Sequence, residues 1–161
     1  AMTGWRIGYT IANEDWTKAI VKLQSHSATH PTSFVQYACA RAMEMRMESM
    51  NAVQSMLAEY EKRKNWLIPE LQKIKGFKCA MPEGAFYAFI DVRGLLGENF
   101  KTSADVADFL LNETYVVMTD GAGFGADGFL RLSYATSMEN LKKAVGRINQ
   151  VLDAELRRVA L

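Results

Sequence analysis

Between Ser49 and Lys75 the apolar side chains Met50, Val53, Leu57, Tyr60, Leu67, Leu71 and Ile74 recur every three or four positions, with one gap at Lys64. That period predicts a long amphipathic helix whose apolar stripe must be covered by another layer. Pro69 falls inside the pattern and is predicted to kink or divide the helix, because proline removes a hydrogen bond and crowds the preceding turn. Gly76 is well placed to end it.

The covering layer is legible downstream. Lys78 to Met81 reads as a short strand, and Tyr87 to Val92 as a stronger one. Thr102 or Ser103 is predicted to cap a helix running through Leu111, followed by strands at Tyr115 to Met118 and Phe129 to Tyr134. Thr136, with Glu139 three residues on, has the form of a capping box. It opens a last helix with Met138, Leu141, Val145, Ile148, Leu152 and Leu156 on one face. Helix, strand, helix, strand, strand, helix predicts an α+β unit, with helices covering one side of a largely antiparallel sheet.

The first 47 or so residues do not belong to that unit. Arg6 to Ala12 reads as a short strand flanked by glycines. Asn13 is a good N-cap, with Glu14 and Asp15 in the first turn of a helix to about Ser25 that carries Trp16, Ile20 and Leu23 on one face. Pro31 interrupts the chain, and Ser33 with Gln36 suggests a second capping box and a further helix, bending near Glu48. A lone strand and two helices cannot build a core by themselves. Met43, Met47 and Met50 are expected to form a core or subunit-packing stripe.

Composition narrows the function. Nineteen basic and 18 acidic residues leave a net charge of +1, which offers no footprint for nucleic acid or an anionic membrane. No apolar run approaches the roughly 20 residues of a membrane span. No signal peptide is visible, and Cys39 and Cys79 read as reduced thiols of a cytoplasmic protein.

Chemistry-bearing clusters are few. His26 and His30 read as loop histidines with no acidic or cysteine ligand nearby, so no metal site is assigned. Gly123 to Gly128 fits G-x-G-x-x-G, but a dinucleotide site needs that loop to open a helix. Phe129 to Tyr134 alternates like a strand instead, so the glycines are expected to shape a tight turn. Two strand arginines remain, Arg6 and Arg131. Each is either an outward-facing polar residue or an anion clamp, whose planar fork matches a carboxylate or phosphate in two parallel hydrogen bonds. Composition does not choose between these.

Five segments, in order, carry a resemblance. Ala1-Met-Thr-Gly-Trp-Arg-Ile-Gly-Tyr9 resembles the segment that follows the Schiff-base lysine in class I, aspartate aminotransferase-like, pyridoxal-phosphate-dependent enzymes. His30 to Gln36, Tyr60 to Lys64 and Pro82 to Tyr87 are similar to later motifs of that family. Gly121 to Gly125 and Gly128 to Ala135 look like its C-terminal substrate motif.

The resemblance implies the remainder of a large α/β cofactor domain over residues 1–47 and a small α+β domain over 48–161, opened by the long helix. It implies that Arg6 binds the phosphate of pyridoxal 5'-phosphate and Arg131 the α-carboxylate of an amino acid or 2-oxo acid. It also implies that the glycine turn brings backbone close to the substrate mouth, and that the parent is a homodimer. Asp120 departs from the proline common before that turn, a change expected to affect turn rigidity more than chemistry. The family's lysine lies a few residues before the position of Ala1, so no catalytic residue is nominated. The chain is expected to be a fragment of an aminotransferase, inactive by itself. The alternatives are a non-catalytic folding or dimerisation module, or a fragment of a related lyase or synthase using the same cofactor.

Overall fold

The strand expected at Arg6 to Ala12 does not form: after a 3-10 turn at Thr3–Trp5 the chain runs without regular structure to Asn13. A strand exists only by pairing, and among the described residues every paired strand belongs to the second half of the chain. The computed structural model describes residues 2–159 and divides into two compact units, Ala1–Leu57 and Ala58–Leu161. Ala1, the first residue of the N-terminal motif, lies outside the described residues.

Helix α1 spans Glu14–Ser27. Asn13 accepts from the Trp16 N–H at 3.0 Å, and Glu14 and Asp15 place negative charge against the positive end of the helix. The helix runs two residues past the expected end and takes in His26, which is therefore not a loop residue. Helix α2 spans Ser33–Glu44. Its predicted capping box is not formed: Thr32 is the N-cap, and the Gln36 side chain donates to the Pro31 carbonyl at 2.7 Å.

Helix α3 spans Arg46–Lys73, starting after a break at Met45 rather than a bend at Glu48. The break is closed by Ser49 Oγ, which donates to the Ala42 carbonyl at 2.7 Å. It places Met43 and Met47 on different helices, and both stay exposed, at 66% and 70%. The methionines are thus no core stripe. Pro69 lies within α3 without dividing it. It is exposed, whereas Leu67, Ile68 and Leu71 around it are fully buried.

The second unit holds the core. Strands β1 (Lys78–Cys79), β2 (Tyr87–Asp91), β3 (Thr119–Asp120) and β4 (Phe129–Ser133) form one antiparallel sheet in the order β1-β2-β4-β3. Ala88 and Ile90 of β2 and Leu130 and Leu132 of β4 are buried, while Tyr87, Phe89, Phe129 and Arg131 alternate onto the other face. The buried face packs with Leu67, Ile68 and Leu71 of α3, with Val106 and Leu110 of α4 (Ser103–Thr114), and with Leu141, Ile148 and Leu152 of α5 (Met138–Val159). This is the predicted α+β arrangement, and each fully buried Leu or Ile contributes roughly 1.5–3 kcal/mol of burial free energy.

Two local expectations shift. α4 continues to Thr114, and Tyr115 ends it in the left-handed region at φ 57°. The strand expected at Tyr115 to Met118 begins only at Thr119, where the chain comes into register opposite Arg131. At the start of α5 the cap is Ser137, whose Oγ accepts from the Asn140 N–H at 3.1 Å. Glu139, expected in a capping box, pairs instead with Lys143 at 2.7 Å.

Candidate functional site

Two arginines stand on or beside the outer face of the sheet, and their surroundings differ in kind. Arg93 follows β2 and is satisfied within the protein. Its Nε donates to Asp91 Oδ1 at 2.9 Å and its Nη2 to Oδ2 at 2.7 Å, a two-pronged ion pair. That hydrogen bond from Arg93 holds the Asp91 carboxyl down at about 2, the partial burial of Asp91 opposing the shift. The Arg93 stem also lies where a Cβ at Gly128 would fall, 2.5 Å from its Cγ, and Gly128 adopts φ 81°.

Arg131, in the middle of β4, has no such partner. Among the described residues no carboxylate forms an ion pair with it and no side-chain hydrogen bond uses its N–H donors. Two aromatic rings hold it instead: its guanidinium carbon lies 4.5 Å from the Tyr87 ring centre and 4.4 Å from that of Phe124. Tyr87 is the diagonal neighbour across the β2–β4 ladder, since Phe89 is the residue directly opposite Arg131. Ring faces attract the charge without consuming the N–H fork. The result is a half-buried, oriented guanidinium with its donors available, which is what capture of a carboxylate requires.

Phe124 reaches Arg131 from the loop joining β3 to β4. That loop begins with a 3-10 turn at Gly121–Phe124 and closes with the Ala126 N–H donating to the Gly121 carbonyl at 3.0 Å. Gly121 must be glycine: a Cβ there would come within 2.3 Å of the Ala126 carbonyl oxygen. The glycines make a tight turn feeding a strand, as expected, and not the start of a dinucleotide-binding helix.

Arg6 lies in the first unit. It sits in the left-handed region at φ 56°, capping the 3-10 turn rather than standing on a strand, and its side chain is exposed. It too has no ion-pair partner among the described residues. Positive φ is uncommon for a non-glycine residue, and Arg6 shares it with Thr29, Ala85 and Tyr115 among the described residues. Nearby in sequence, Ile7 and Tyr9 help line an apolar groove of about 500 Å³ with Cys39, Met43 and Val53, which offers no acid–base pair. His30 lines a separate, open hollow. No cluster of three or more metal-ligating side chains occurs among the described residues, and no described helix is long and apolar enough to cross a membrane.

Sequence reasoning singled out Arg131 but missed Tyr87 and Phe124 as its partners, and the Arg93–Asp91 pair altogether. The strand alternation could have placed Tyr87 and Arg131 on one face. Phe124 lies in a loop, and no periodic signal reports where a loop side chain lands.

A small antiparallel sheet backed by helices, with Arg131 held against two aromatic rings on its outer face, defines an α+β domain. Residues 1–148 match the family described as aminotransferase class I and II. An aspartate aminotransferase of Geobacillus stearothermophilus is 41% identical over 155 residues, 96% of this chain and 39% of the relative. A probable aspartate/prephenate aminotransferase of Aquifex aeolicus is 39% identical over 95% of this chain and 38% of its own length. Among solved structures, an aromatic aminotransferase from Pyrococcus horikoshii superposes with a TM-score of 0.83 at 35% identity, covering 96% of this chain and 40% of that one. The aspartate aminotransferase of Thermus thermophilus with maleate superposes at 0.82 and 36% identity, over 94% of this chain and 38% of that one. The chain belongs to the class I and II aminotransferase family, and it spans about two-fifths of the length of the relatives it matches.

Proposed function

We propose that this chain is the C-terminal part of a pyridoxal-phosphate-dependent aminotransferase, and that Arg131 binds the carboxylate of its amino acid and 2-oxo acid substrates. The carrying observation is the guanidinium of Arg131, held between Tyr87 and Phe124 with no carboxylate of its own. Arg6 binds the cofactor phosphate in this reading. An exposed, permanently charged and unpaired guanidinium fits a phosphate at one point of contact. When bound, pyridoxal phosphate supplies the electron sink that lets an amino group be exchanged for a keto group.

The chain's own residues contribute binding and orientation. Arg131 fixes one end of the substrate through two parallel hydrogen bonds, and the two rings limit the planes its fork can take. Residues 1–47 belong to the large domain in this reading and 48–161 to the small one. The many exposed apolar side chains of the first unit, Trp5, Trp16, Leu23, Phe34 and Tyr37 among them, support burial against further protein, including the second subunit of a homodimer. The unpaired thiols Cys39 and Cys79 support a cytoplasmic setting.

Maleate, the dicarboxylate bound by the Thermus relative, provides the test. The chain should bind maleate, and Arg131→Leu should weaken binding by ten-fold or more, since each charged hydrogen bond contributes roughly 1.5–3 kcal/mol. Undiminished affinity in that variant would refute the assignment. The same chain, given pyridoxal phosphate and an amino acid–oxo acid pair, should show no turnover. Turnover would overturn the reading that the catalytic lysine lies outside these residues.

A further inference from the structure

The loop that carries Phe124 is held at both ends by one hydroxyl. Ser103, at the start of α4, is completely buried. Its Oγ donates to Asp120 Oδ1 at 2.7 Å, on the last residue before the loop. The same oxygen accepts from the Gly128 N–H at 3.0 Å, at the loop's far end, and Asp127 Oδ1 stands 3.1 Å away. A hydroxyl has one proton, and the shorter contact assigns it to Asp120. The Gly128 N–H is then shared between Ser103 Oγ and Asp127 Oδ1, the latter at 2.9 Å. Sequence separations of 17 and 25 residues make this a tertiary clamp, not a turn closing on itself.

We propose that Ser103 is a positioning residue for the carboxylate site: by pinning Asp120 to Gly128 it sets the stacking of Phe124 on Arg131, and through that stack the carboxylate affinity of Arg131. The proposal rests on the reading of Arg131 given above. Its reasoning is geometric. Phe124 is half exposed, so packing alone does not fix its ring over the guanidinium. What fixes it is the path of the backbone from Asp120 to Gly128. A Cβ at Gly121 would meet the Ala126 and Phe129 carbonyl oxygens at 2.3 and 2.8 Å, so the backbone packs too closely there for any side chain. Removing the hydroxyl leaves the Asp120 carboxylate without its buried donor, and that end of the loop is released to solvent.

Asp120 itself offers an independent handle. Its backbone lies at φ −59° and ψ 135°, within the narrow range that a proline ring imposes, and Thr119 before it is in a strand, as a residue preceding proline prefers. Proline at 120 should therefore hold by ring closure what Ser103 holds by hydrogen bonding.

The experiment follows the Arg131 side-chain Nε–H resonance of the 161-residue chain by NMR, where ring currents from Tyr87 and Phe124 displace it from the position of a solvent-exposed arginine. Phe124→Leu gives the displacement lost when the stack is absent. Ser103→Ala should move the resonance toward the Phe124→Leu position and weaken maleate roughly two- to five-fold, the worth of one cation–π partner. The double variant Ser103→Ala with Asp120→Pro should restore both. The methyl signals of Leu130, Leu132 and Ile148 should not move in any of these, which separates loop release from unfolding. If Ser103→Ala does not fold, Asp120→Ala breaks the same bond from the less buried side and should give the same displacement. A wild-type Arg131 position in Ser103→Ala, or no rescue by proline, overturns the clamp. Failure of the wild-type chain to bind maleate counts against the Arg131 reading instead, and the resonance comparison still decides the clamp.

Discussion

At the scale of single residues, the two outer-face arginines show how one residue type meets opposite surroundings. Arg93 has Asp91 two positions away, and the pair neutralises itself. Arg131 meets two aromatic rings and, among the described residues, no carboxylate. The Asp91 carboxyl, held at about 2 against an ordinary 3.8, makes a prediction about acid stability. Its folded value is depressed, so its stabilising contribution is fully present above 3.8 and is lost as pH falls through about 2. Asp105 adds the same sign, its carboxyl lowered by the backbone N–H groups of Thr102 and Lys101. Asp91→Asn should therefore flatten the decline of stability between those two pH values, measured as the urea midpoint across an acid series. An unchanged slope would show that the pair is already broken in solution.

At the scale of elements, helix starts test which side chains act as caps. Thr102 accepts from the Asp105 N–H at 3.2 Å, and the Asp105 carboxylate accepts from the Thr102 N–H at 2.8 Å, a reciprocal capping box. Thr102→Ala should cost about 1 kcal/mol of stability, within the usual 0.5–2 kcal/mol range for lost caps. Ser33→Ala, at the position where a box was expected in α2, should change stability by less than about 0.5 kcal/mol, because no cap bond is made there. Denaturant unfolding of the two variants checks both. Equal losses would contradict the distinction. Of the three cap positions read in advance as boxes or caps in the last four helices, only Thr102 has its expected role. Serine and threonine cluster near helix starts, and which hydroxyl wins is decided by the path of the chain entering the helix.

At the scale of the whole molecule, the two units differ in self-sufficiency. Every residue of the hydrophobic core lies between Leu67 and Leu152, and Val35 is the one buried hydrophobic side chain among the described residues of the first unit. A chain of residues 58–161 should unfold cooperatively by circular dichroism, as a single hydrophobic core predicts. Residues 1–57 by themselves should show no cooperative transition, because too little apolar surface is removed from water to offset chain entropy. A sigmoidal melt of the shorter piece would overturn that division.

Much of this was legible in the sequence by itself. The period of Met50 to Ile74 and of Leu141 to Leu152 specified the helices, alternation specified β2 and β4, Asn13 specified the start of α1, and ordered motifs specified the family. These signals act within one or two turns of the chain, where residue type alone sets the local free energy. The strand expected at Arg6 failed because pairing needs a distant partner, and the strand at Tyr115 moved because register is set by β4 and not by composition. Which arginine is left without a carboxylate partner, and which hydroxyl bonds across the loop beside it, were decided only by the tertiary structure. Arg131 meets Tyr87 44 positions earlier, and Ser103 meets Gly128 25 positions later. Contacts of that separation depend on how helices and sheet pack together, and no local preference encodes them.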